Sequence, residues 1–178
     1  MVGNEISDLL TSNENTIRQL FKQHQPNFWE VQPEGKWTAG QHVIHLVQST
    51  KPLLNALRLP DFILKWRFGT SNRPSRNFEE VVARYEEKLS KAGPGVVGPF
   101  SRNMPDSPAN EAEKYLSQLH ELNQKLNKAT LKLSEKQLDT ILLPHPLMGK
   151  MTLREILMWN AYHTLHHVNV LKAKYLNK

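Results

Sequence analysis

The amino-acid sequence predicts an all-α fold, a four-helix bundle with a helical and loop excursion between its second and third long helices. Three observations carry this expectation. Apolar residues recur at i, i+3 and i+4 through long segments. Helix-opening signals precede them, with Thr38 and Gln41, and again Thr152 and Glu155, at capping-box spacing. No segment shows a strong strand pattern, and no repeat of about 20–50 residues is visible.

The first helix is expected over about residues 4–24, where Ile6, Leu9, Leu10, Ile17, Leu20 and Phe21 form one apolar face and Pro26 closes it. Residues 25–37 read as a connecting loop. Thr38 and Gln41 open the second helix: the hydroxyl accepts from a free N–H while Gln41 reaches back. It is expected to reach about residue 57, with a bend at Pro52. Asn77 and Glu80 open a short amphipathic helix within the excursion. Residues 93–108 hold three glycines and four prolines and must be loop. Ser107 before Pro108 marks the start of the third long helix, which Tyr115, Leu119, Leu122 and Leu126 carry to about residue 130. Residues 133–150 read as a short turn and an extended connection, and the last helix follows Thr152.

At 178 residues the chain is expected to be a single domain, 1–178, long enough to bury a core. It has no cysteine, which excludes disulfides, thiolate metal sites and a cysteine nucleophile. The opening "MVGNEISDLLTSNENTIRQL" lacks the pattern of a signal peptide. No run of about 18 apolar residues exists to span a membrane. A cytoplasmic location and no membrane partner are therefore expected. Net charge is +6, with a pI near 9.6. The basic residues are scattered, and the densest stretch, "LKWRFGTSNRPSR" (64–76), reads as a solvated loop. Nucleic acid is accordingly not the expected partner.

The chemistry concentrates in "WNAYHTLHHVNVL" (159–171), where His163, His166 and His167 sit within an apolar helix. His163 and His167, four apart, share a face with Ile156 and Asn160 and should point inward. Such a pair can bind one metal ion from successive turns. It can equally be two buried histidines satisfied by neighbouring hydroxyls or carbonyls. The spacing matches the H-E-x-x-H zinc proteases, but Thr164 stands where their general-base Glu would be, so a peptidase of that type is disfavoured. The second helix carries His42 and His45, and at 1.5 Å per residue either helix can bring its histidines to a common level. Trp37 reads as packing at the entrance of that helix, with ligand stacking the alternative. His145, before Pro146, reads as a turn residue near the mouth of the presumed site, or as a contact to ligands or substrate. His166 reads as a flanking residue. Tyr162 and Asn160 read as core, and His24 and His120 have no evident partner.

Two stretches carry a family resemblance. "KWTAGQHVIHLVQS" resembles the W-[ST]-x-x-[EQ]-x-x-x-H-[LI] segment of the DinB/YfiT-like four-helix-bundle family. "HPLMGKMTLREILMWNAYHTLHHVNVL" resembles that family's HP-x-x-G-x-[LM]-[ST]-x-x-E segment leading into H-x-x-x-H. The resemblance implies a divalent-metal site made by His45, His163 and His167, His45 being the histidine eight residues after the Trp. Three imidazoles suit Zn or Ni, and three protein ligands leave positions open for water or substrate. The implied function is a metal-dependent transferase that uses a low-molecular-weight thiol on a small electrophilic substrate. The alternatives are a metal-dependent hydrolase and a non-catalytic metal- or small-molecule-binding stress protein. A homodimer is the implied assembly. Catalytic and thiol-binding residues are not assigned by the resemblance, and the roles of His42, His145 and His166 stay open.

Overall fold

The computed structural model describes residues 1–24, 27–93 and 98–176. Among the described residues, seven α-helices, three short 3-10 turns and a two-stranded hairpin make up the regular structure. Four helices are long: α1 (Gly3–Gln23), α2 (Ala39–Ala56), α5 (Ala112–Thr130) and α7 (Leu153–Tyr175). These are the predicted four, each within a few residues of its expected bounds. Three are short: α3 (Asp61–Phe68) and α4 (Phe78–Ala92) form the excursion, and α6 (Glu135–Thr140) is the predicted turn after α5. Pro26, expected to close α1, lies outside the described residues.

Both predicted capping boxes form. Gln41 N–H donates to Thr38 Oγ1 at 3.1 Å while Thr38 N–H donates to Gln41 Oε1 at 2.9 Å. Glu155 N–H donates to Thr152 Oγ1 at 3.2 Å, and Thr152 N–H to Glu155 Oε2 at 3.1 Å. Asn77 and Glu80 close a third box at the start of α4. Pro52 lies inside α2, which continues through it to Ala56.

Three expectations need correction. The connection at 133–150 contains strands β1 (Leu142–His145) and β2 (Gly149–Thr152), paired antiparallel with Leu142 opposite Thr152 and His145 opposite Gly149. Four-residue strands offer too few alternations to read, and Pro144 and Pro146 mask them. The turn is held by His145, whose Nδ1 accepts from the backbone N–H groups of Leu147 and Met148 at 3.1 and 3.0 Å, and by Gly149 at φ +76°. The basic stretch 64–76 is not a solvated loop. Lys65 and Arg67 lie in α3, while Arg73 and Arg76 both bind the buried Glu155. Ser107 does not open α5. A 3-10 turn (Ala109–Glu111) precedes that helix, and the Ser107 hydroxyl is hydrogen-bonded to Thr38 Oγ1 instead.

In the bundle α1 packs on α7 and α5, and α2 packs on α5 and α7. The apolar interior divides in two. One cluster gathers Leu53, Leu138, Ile141, Leu153, Ile156 and Trp159. The other gathers Phe21, Trp29, Leu46, Leu119, Val168 and Leu171. Along α7 the first cluster ends at Ala161 and the second begins at Val168. The histidines fall between them, in a polar layer where Asn13 donates to the Ala161 carbonyl and Asn160 to Thr50 Oγ1. Among the described residues no helix is long and apolar enough to cross a membrane.

Candidate metal centre

His163 and His167 stand one turn apart on the buried face of α7, 3% and 7% exposed. α2 crosses this face and presents His45. The Nε2 atom of His163 lies 3.1 Å from Nε2 of His45 and 3.1 Å from Nε2 of His167. One ring nitrogen of each residue lies within 4.8 Å of those of the other two. Two His–Zn bonds of about 2.0–2.1 Å meeting near the tetrahedral angle hold their nitrogens about 3.3 Å apart, so the spacing fits three imidazoles around one cation.

The outward nitrogens differ. His45 Nδ1 is 2.7 Å from Ser101 Oγ. His167 Nδ1 is 2.7 Å from Nδ1 of His42, which is itself buried. His163 Nδ1 is buried without a partner among the described residues, and that ring's polar contacts there are made through Nε2, toward the centre. Partners behind two of three rings are the arrangement that orients metal-binding histidines.

Burial sets the protonation states. It pushes His45 down to about 4, with the neighbouring His166 adding a smaller push, and holds His163 and His167 well below the ordinary value of 6.5, with further repulsion among the histidines. All three rings are thus neutral at pH 7, the form that binds metals. The donor set fits a borderline cation such as Zn²⁺ or Ni²⁺, and the three histidines can hold a metal ion.

The triad lines a cavity of about 560 Å³ between α2, α4, α7 and the hairpin. Its walls are mainly apolar, with Trp37, Leu53, Phe68, Leu89, Phe100 and Leu147 among them. Among the described residues no Asp or Glu lines it, and Arg102 is its one lysine or arginine. A more open depression along α1, lined by Asp8, Asn15 and Lys172, contains none of the histidines.

The remaining sequence candidates divide. Trp37 lies with its ring centroid 5.0 Å from that of His45 and also lines the cavity, so it both packs at the α2 entrance and faces the ligand space. His145 is the expected turn residue. Its ring also meets Trp159 edge-on at 4.2 Å and lines the cavity, and burial lowers its pKa to about 4. His166 turns from the centre to Glu86, its Nδ1 3.3 Å from Oε1, where the Tyr162 hydroxyl also donates at 2.6 Å. His120, without an evident partner in the sequence, pairs with the buried Glu14 of α1 at 3.2 Å. Asn160 is core, as read.

The sequence reading missed three contributors. Ser101 and Glu86 are separated from their partner histidines by 56 and 80 positions, so no local pattern reveals them. Glu155 reads only as a cap, yet it is fully buried and takes both guanidinium nitrogens of Arg73 at 2.6 and 2.9 Å, fixing residues 73–76 to the start of α7.

The family model of the DinB superfamily matches residues 9–171, nearly the whole chain. The chain belongs to the DinB superfamily. The match spans α2 and α7, the helices that carry the triad. No curated protein matches this DinB-superfamily chain.

Proposed function

We propose that this DinB-superfamily chain is a metal-dependent transferase that joins a low-molecular-weight thiol to a small electrophilic substrate, with His45, His163 and His167 as ligands of a Zn or Ni ion. The observation that carries the reading is the set of three neutral imidazoles, Nε2 toward one another, lining a cavity. Three protein ligands with access to a cavity are the pattern of catalytic rather than structural sites.

When bound, the cation supplies Lewis acidity, deprotonating a thiol that would be mostly protonated at pH 7 or acidifying a water. The rest falls to the chain. It has no cysteine, so the sulfur must come from a co-substrate. Apolar walls exclude water and receive the hydrocarbon or aromatic part of an electrophile. Arg102 offers a counter-charge to the carboxylates that low-molecular-weight thiols commonly carry. The absence of a lining Asp or Glu, among the described residues, favours thiol transfer over water-based hydrolysis, which is served by a carboxylate base.

Family resemblance supports a homodimer and a cytoplasmic setting as companions to this reading. Light scattering at twice the chain mass checks the first. The activity is tested by loading the protein with Zn²⁺ or Ni²⁺ and offering cysteine or glutathione with a fluorogenic electrophile. Conjugation should require metal and vanish in His163→Ala. Conjugation that persists in metal-stripped protein would overturn the mechanism, and ester hydrolysis without thiol transfer would move the assignment to a hydrolase.

A further inference from the structure

Four imidazoles, not three, run through the polar layer, and the fourth has no place in the triad. His42 Nδ1 lies 2.7 Å from His167 Nδ1, on the far side of that ring from the centre. A cation held by both nitrogens would keep them about 3.3 Å apart, so this contact is a hydrogen bond and His42 is not a ligand. We infer that His42 and Tyr175 are positioning residues, which fix the proton of His167 on Nδ1 and so turn its Nε2 lone pair toward His45 and His163. The inference rests on the metal-site reading for its purpose, but not for its geometry.

The argument follows the protons from a group that cannot donate. The Trp37 carbonyl accepts from the Tyr175 hydroxyl at 2.8 Å. That uses the only proton the phenol has. The Tyr175 oxygen is also 2.9 Å from His42 Nε2, so in this second contact it must accept, and His42 carries its proton on Nε2. A neutral His42 then has a bare lone pair on Nδ1. The proton between the two Nδ1 atoms must come from His167, whose Nε2 is left bare and faces His163 Nε2 at 3.1 Å.

Neutrality follows from position. His42 is 6% and His167 7% exposed, and among the described residues no carboxylate is hydrogen-bonded to either. Free neutral histidine in water prefers the proton on Nε2, the wrong tautomer for binding a cation through that atom. The chain Trp37 carbonyl, Tyr175, His42, His167 reverses this preference. It also ties the end of α7 to the loop before α2, since Tyr175 lies two turns beyond His167.

Tyr175→Phe keeps the ring packing and removes the link. His42→Leu removes the acceptor outright, whereas His42→Asn places an oxygen near the lost Nδ1. Two readouts are needed. In metal-free protein with ¹⁵N-labelled histidine, two-bond proton–nitrogen correlations report each ring's tautomer. Competition against a chromophoric chelator reports Zn²⁺ affinity. Native His167 should show Nδ1–H. Tyr175→Phe and His42→Leu should shift it toward Nε2–H and weaken Zn²⁺ about 10–100-fold, and His42→Asn should restore both in large part. Nε2–H at His167 in the native protein, or an unchanged tautomer in His42→Leu, would overturn the inference. Native protein that binds no Zn²⁺ would overturn the metal reading instead, while the tautomer spectrum still decides the chain of hydrogen bonds.

Discussion

Gly40 shows how one atom positions the centre. It occupies the first turn of α2, with Trp29 against its α-carbon. A Cβ there would lie only 2.3 Å from Cε2 of the indole, well inside van der Waals contact, and that ring is fully buried. Gly40→Ala should therefore push α2 outward, costing about 1–3 kcal/mol by overpacking. It should also weaken metal binding, because His45 rides on the same helix. Urea denaturation with a chelator assay checks both, and an unchanged midpoint would show that the contact is absent. At this scale His163 and His167 were legible in the sequence, since spacing of four on an apolar helix is a local signal. His45 over His42 was not legible from spacing, because both are compatible with a buried face. Only the family pattern separated them, and the structure assigns the two different partners.

At the scale of elements, the N-terminus of α7 joins the excursion to the bundle. Burial opposes charge on Glu155, yet the hydrogen bonds from Arg73 and from the Arg76 and Thr152 N–H groups outweigh it and hold the carboxyl below its ordinary range. Glu155→Ala removes a cap and leaves two guanidinium groups without their acceptor. A loss of about 3 kcal/mol in unfolding free energy is expected, as for breaking a buried ion pair. The lowered pKa also has a sign. The stability contributed by Glu155 is present above its unfolded value near 4.5 and is lost as pH falls through the folded one. The helices were legible from periodicity and caps. The hairpin was not, since four-residue strands around two prolines carry little pattern, and the Arg73–Glu155 pair was not, because it joins residues 82 positions apart.

For the whole molecule, placing a histidine layer between two apolar clusters has a thermodynamic consequence. His42, His45 and His145 are lowered to about 3, 4 and 4, and His163 and His167 well below 6.5, all chiefly by burial. Below pH 6.5 the unfolded chain takes up protons that the folded chain refuses. The folded state is therefore at full advantage above about pH 6.5 and loses it as pH falls toward the folded values, by up to about 1.4 kcal/mol per pH unit for each such histidine. Metal-free protein should show a lower urea midpoint at about pH 5.5 than at about pH 7.5, before most carboxylates titrate. Equal midpoints would mean that the layer is wet and its histidines titrate freely.

If His45, His163 and His167 bind one cation together, as proposed, the number of metal ions retained per chain decides it. Protein stripped by chelation, reloaded with Zn²⁺ and desalted should retain about one ion per chain in the native form and in His166→Ala, and less than about 0.1 in His163→Ala. A full equivalent in His163→Ala, or none in the native protein, would show that the three histidines do not form one metal site.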